Sequence, residues 1–152
     1  QLSQIETILL YPKPSQAVKK DHKMLLSIPV SVGEIMDKIT ILEIKAERIL
    51  DAEKLANVTA ELDTLRPLVT HDALNTASIK ALVAELKDIN EALWDIEDDI
   101  REREYAKDFG EAFIALARAV YVTNDKRAEV KKQINLATGS TLIEEKSYED
   151  YR

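Results

Sequence analysis

Apolar residues recur at alternating steps of three and four along one stretch: Ile79, Leu82, Leu86, Ile89, Leu93, Ile96 and Ile100. That spacing keeps one side of a helix against a neighbour over several turns, so it predicts a long helix over about 77–106. A second row on the same helix, Asn90, Trp94, Glu97, Arg101 and Glu104, has the same spacing with polar and aromatic chemistry. Downstream, Asp108-Phe109-Gly110-Glu111 reads as a capping box opening a second long helix over about 109–137, which Gly139 would stop. Its stripe is Phe109, Phe113, Leu116, Val120, Thr123, Arg127, Val130 and Ile134. Arg127 on a core-facing row must snorkel or meet a carboxylate, because an unpaired buried charge is very costly.

Upstream, Ser31-Val32-Gly33-Glu34 is a capping box for a helix over 32–50, with a stripe of Val32, Ile35, Met36, Ile39, Leu42, Ala46, Ile49 and Leu50. Asp51 can cap a shorter helix from Ala52 that includes Leu55, Val58, Leu62 and Leu65 and is limited by Pro67. Cap and turn formers fill 70–78, which predicts a connection there. The expected fold is an all-α antiparallel helical bundle with two long helices, one or two shorter ones, and a short extended N-terminal segment. Residues 1–23 read as an appended arm, with Met24 as an alternative initiator. The piece from Leu25 to Val30 reads as extended, with Pro29 confining it to an edge. The bundle domain is assigned to 24–139. The tail, 140–152, is expected to be mostly solvated, with Leu142 and Ile143 as an anchor.

Composition agrees with helix: 45% hydrophobic and 32% charged residues, with three Gly and four Pro. A net charge of −7 argues against wholesale nucleic-acid binding, which needs a basic surface to release counterions. The chain has no cysteine, which excludes disulfides, thiolate nucleophiles and thiolate metal sites, and fits a cytoplasmic protein. It shows no apolar run of membrane-spanning length and no export signal, so no membrane partner is expected. With two His and three Gly, triads, phosphate loops and zinc-helix motifs are nearly closed. His22 and His71 receive no role.

Carboxylates fall at helical spacing in Glu34 with Asp37, Glu43 with Glu47, and Asp95 with Asp98 and Glu102. Two such helices facing each other could hold a hydrated Mg²⁺. In a chain with 28 acidic residues, however, such pairs arise freely, and solvated faces or ion pairs are the simpler account. Arg101, Arg118, Arg127 and Lys131 lie on or beside the stripes, and Glu97 is expected to pair with Arg127 or Arg118. A register-fixing ion-pair network is favoured over an anion clamp for phosphate or carboxylate, although a small anionic ligand stays open. Under the first account Arg127→Leu is expected to be tolerated or stabilising. Asn124 and Asp125, with Tyr121 and Arg118, mark a polar patch within a helix, explained by a kink or a ligand-facing side. Trp94 is expected to be a filler whose indole N–H seeks an acceptor.

The blocks IPVSVGEIMDKITILEIKAERI, NEALWDIEDDIREREY, FIALARAVYVTNDKRAEVKKQIN and GSTLIEEKSYEDY resemble a bacterial family of short helical proteins known only as a domain of unknown function. The likeness covers about residues 28–151. It implies a cytoplasmic bacterial or phage-related helical protein, sometimes encoded near sugar-transfer genes, and carries no activity. The shared pattern it implies runs through Asp37, Lys38, Glu43 and Lys45, through Trp94, Glu97, Asp98 and Arg101, through Arg118, Tyr121, Asn124, Asp125 and Arg127, and through Glu145, Lys146 and Tyr148. The first helix is also similar to the opening helix of helical chorismate mutases, but the downstream Arg/Glu pattern does not follow. The Glu34/Asp37 and Asp95/Asp98 pairs are loosely similar to all-helical nucleoside triphosphate pyrophosphohydrolases.

The expected function is therefore a non-enzymatic helical interaction or scaffold module without a cofactor and with the capacity to self-associate, since long regular seams also serve partner chains. The alternative is a Mg²⁺-dependent nucleotide pyrophosphohydrolase-like enzyme. It would use Glu34, Asp37, Glu97 and Asp98 on the metal, with Arg118, Arg127 and Lys131 on phosphate.

Overall fold

The computed structural model describes residues 24–149. It contains four α-helices: α1, Val32–Arg48; α2, Ala52–Leu65; α3, Ala77–Ala106; and α4, Glu111–Thr138. Two short 3₁₀ turns, Arg66–Val69 and Asp72–Leu74, join α2 to α3. There is no strand among the described residues. The segment 24–30 lacks regular structure, so the apolar run before α1 is exposed and pairs with no sheet edge. The expected arm over 1–23 lies outside the described residues. No helix among the described residues is long and apolar enough to cross a membrane.

The caps explain most of the boundaries. Ser31 Oγ accepts from the Glu34 amide at 3.1 Å, and Asp51 accepts from the Lys54 amide at 2.9 Å. Only half of the first capping box forms, because the Glu34 carboxylate accepts from Lys131 instead. The box expected at 108–111 is also corrected. Gly110 is the N-cap of α4 and offers no side chain, whereas Asp108 accepts from the Gly110 amide at 3.2 Å and from Arg103 at 3.0 Å, which makes it a turn residue. Gly139 ends α4 in the left-handed region at φ 65°, as the stop signal implies. Lys107 ends α3 at φ 56° without being glycine.

Helix α1 is the central element. One apolar cluster joins α1 to the α3–α4 hairpin through Met36, Leu86, Val130 and Ile134. A second joins α1 to α2 through Ile39, Leu42, Val58 and Leu62. Ile44 is fully buried although it lies off the expected stripe, while Leu50, placed on that stripe, is 95% exposed because α1 has already ended at Arg48. Contacts along α1 fix its direction. Glu47 meets Lys87 and Arg48 meets Asp95, while Gly33 meets Asn135 and Asp37 meets Arg127. Its first turns therefore run antiparallel to α4, and it then crosses α3, whose partners for Asp37, Glu47 and Arg48 stay between Lys87 and Asp95, so that α1 covers the hairpin from its base to about Trp94 and Asn124. Beyond that level the seam loses its cover. Ile96, Ile100, Phe113, Leu116 and Val120 are only partly buried, and Tyr105, Phe109 and Ile114 are exposed.

Candidate functional site

Most of the polar residues singled out by sequence form two assemblies. The first is a buried hub centred on Asp37, whose side chain is 3% exposed. Arg127 grips it with a fork, Nε donating to Oδ1 at 2.8 Å and Nη2 to Oδ2 at 2.5 Å. Asn90 Nδ2 donates to Asp37 Oδ1 at 2.9 Å and to Thr40 Oγ1 at 3.0 Å, so the hub ties α1, α3 and α4 together. The hydrogen bond from Arg127 to Asp37 holds the guanidinium above its ordinary pKa despite partial burial. Lys131 extends the hub, its Nζ donating to Glu34 and Glu144 at 2.6 Å each and lying 3.8 Å from Asp37. Burial alone would lower the Lys131 ammonium; its bonds to Glu144 and Glu34 more than offset this and raise it. Glu144 is lowered in turn by its bond from Lys131.

The second assembly is an open cavity of about 360 Å³ where α1 leaves the hairpin. Trp94, Glu97, Asp98 and Arg101 of α3 line it together with Asn90, Leu93, Ile41 of α1, and Asn124 and Arg127 of α4. The polar row of α3 therefore borders an opening. Glu97, however, pairs with Arg101 one turn along its own helix and with neither Arg127 nor Arg118, which corrects the expected interhelical pair. Asn124 is bonded at both ends of its amide inside α4: Nδ2 donates to Val120 O at 3.1 Å, and Oδ1 accepts from Arg127 at 3.3 Å. Arg118 lies outside both assemblies, exposed, with Nε donating to Tyr121 Oη at 3.4 Å. Tyr121 and Asp125 line a separate groove with Lys146 and Tyr148 of the tail. Arg48 sits over the Trp94 ring, 5.9 Å from its centroid.

The four carboxylates assigned to Mg²⁺ do not come together. Glu34 and Asp37 bond to Lys131 and Arg127 inside the hub, whereas Glu97 and Asp98 border the cavity. Among the described residues no group of three His, Asp or Glu side chains could hold a metal ion. The proposed phosphate ligands are equally divided: Arg127 is bound to Asp37, Lys131 to Glu34 and Glu144, and Arg118 stands apart.

A family model for DUF6165, a family of unknown function, matches residues 26–151. The chain belongs to this family. The match takes in all four helices of the DUF6165 domain and the tail segment that carries Glu144. No curated protein and no solved structure matches the chain.

Two contacts that hold the DUF6165 domain together escaped the sequence reading. The Gly33 amide donates to Asn135 Oδ1 at 2.6 Å, and a Cβ on Gly33 would lie 2.5 Å from the Lys131 carbonyl oxygen. A glycine in the first turn of an otherwise regular helix was the available signal for this close approach. The tail contact of Glu144 with Lys131 had no such signal, because an acidic, irregular segment looks the same whether it is solvated or bound.

Proposed function

We propose that this chain is a non-enzymatic helical interaction module that associates with itself through the α3–α4 hairpin. The observation that supports this reading is the incomplete cover of the hairpin: α1 shields the proximal half, while the distal half keeps its seam partly exposed. Two helices alone bury too little to be a favoured arrangement, and further helices normally complete such a seam. The hub supports the same reading. Its arginine and lysine are bound to carboxylates of the same chain, which leaves little of the charge that an anion clamp would use. The test is sedimentation and light scattering of the full chain over a wide concentration range, alongside incubation with Mg²⁺ and a nucleoside triphosphate. A dimer that dissociates on dilution is expected. A strict monomer, or released pyrophosphate, overturns the proposal.

A further inference from the structure

On the open side of α3, Trp94, Asp98, Arg101 and Tyr105 follow one another at steps of four, three and four. At 100° per residue these four share one face of the helix. The order is aromatic, acid, base, aromatic, and the steps read the same in both directions. Turning a second α3 antiparallel about a two-fold axis midway between Asp99 and Ile100 sets Asp98 against the partner's Arg101. It also sets Trp94 against the partner's Tyr105, and both contacts occur twice. A two-fold interface requires this reciprocity, in which one residue meets a second and the second meets the first. A heterologous partner would have no reason to match it.

The state of these side chains agrees. Tyr105 is 91% exposed, and the Arg101 side chain is 67% exposed. Asp98 makes no ion pair among the described residues. Arg101 bonds to Glu97 through one nitrogen, and its remaining donors can take a second carboxylate. The row spans about 16 Å; on α4, Val120 and Phe113, one and two heptads before the Arg127 that lines the same cavity, are only partly buried.

We infer that the face carrying Trp94, Asp98, Arg101 and Tyr105 is a two-fold docking surface for a second copy of this chain, with Asp98 and Arg101 exchanging ion pairs across the axis. This rests on the self-association reading and names its surface. The test uses three full-length variants, Asp98→Arg, Arg101→Asp, and the chain carrying both changes. Each single reversal sets like charges across the axis and is expected to weaken the dimer at least about tenfold. An equimolar mixture of the two single variants should form a heterodimer, because each supplies what the other lacks, and the doubly changed chain should recover the homodimer. Both positions project from a well-formed helix, and circular dichroism of each variant is to check that it folds. Trp94 fluorescence adds a second readout, shifting to the red on dilution of the wild type. A dimer that survives both single reversals overturns this surface and leaves self-association standing. A mixture that stays monomeric overturns the two-fold arrangement. A wild-type chain that never dimerises overturns both.

Discussion

Replacing Arg127 by Leu leaves Asp37 with a charge, a side chain 3% exposed, and no guanidinium. Stranding a buried carboxylate in this way typically costs about 3–5 kcal/mol. Asn90 at 2.9 Å and Lys131 at 3.8 Å remain as partners, which places the expected loss at the low end, about 3 kcal/mol. The buried partner thus reverses the sequence-based expectation that Arg127→Leu is tolerated. Asp37→Leu is milder. The Arg127 side chain is 27% exposed and reaches water, and Asn90 still donates to Thr40, so about 1–2 kcal/mol is expected. With both residues replaced by Leu, no charge is stranded, and stability should return to within about 1–2 kcal/mol of the wild type. The coupling energy is then about 2–4 kcal/mol. Urea denaturation followed by circular dichroism measures it, with protein concentration held fixed because association raises apparent stability. With a slope of about 2 kcal/mol per molar urea, the Arg127→Leu midpoint should fall by about 1.5 M. Additive single losses, with no coupling, would refute the reading that Asp37 and Arg127 stabilise each other across α1 and α4.

Three further outcomes follow from the geometry. Gly33→Ala places a methyl group 2.5 Å from a backbone oxygen of α4 and should cost about 1–3 kcal/mol, read as a lowered thermal midpoint; an unchanged midpoint would mean that α1 slides away freely. Lys107→Gly relieves a left-handed residue at φ 56° at the expense of an exposed pair with Glu104, and the melting temperature should rise by about 2–4 °C; a fall would mean that the pair outweighs the strain. The tail contact should depend on pH at both ends. Glu144 is lowered from 4.5, so its contribution is present above that value and is lost as acid passes through the lower folded value. Lys131 is raised from 10.5, so its contribution is present below that value and is lost in stronger alkali. Nuclear magnetic resonance signals of the tail should sharpen at either extreme, and tail signals constant across both would exclude the Glu144–Lys131 bond as its anchor.

Apolar periodicity made the helices legible, because alternating steps of three and four admit few other structures. Ser31, Asp51 and Gly139 marked their ends through chemistry that is local in the chain. Asp37 shows where such reading stops. Arg127 on a core row implies a carboxylate partner, yet Glu97 and Asp37 are equally suitable by residue type, and only the placing of α1 beside Asn90 and Arg127 selects Asp37. Ile44 and Leu50 exchanged their expected roles because burial against two neighbours at once widens the covered face of α1, and the final turn ended early. By its spacing from Ser31, which is local, Glu34 reads as a cap residue, whereas its partner Lys131 lies 97 positions away.

The two halves of the hub are also far apart along the chain: Asp37 and Arg127 are separated by 90 positions, while α3 and α4 are joined by the four residues 107–110. Contacts of low sequence separation form first, so the hairpin can assemble before α1 arrives. The reverse path opens the molecule in the same units. Releasing α1 from the hub carries α2 with it, because those two helices share their own apolar cluster. Amide hydrogens of α1 and α2 should therefore exchange together, ahead of those at the base of the hairpin.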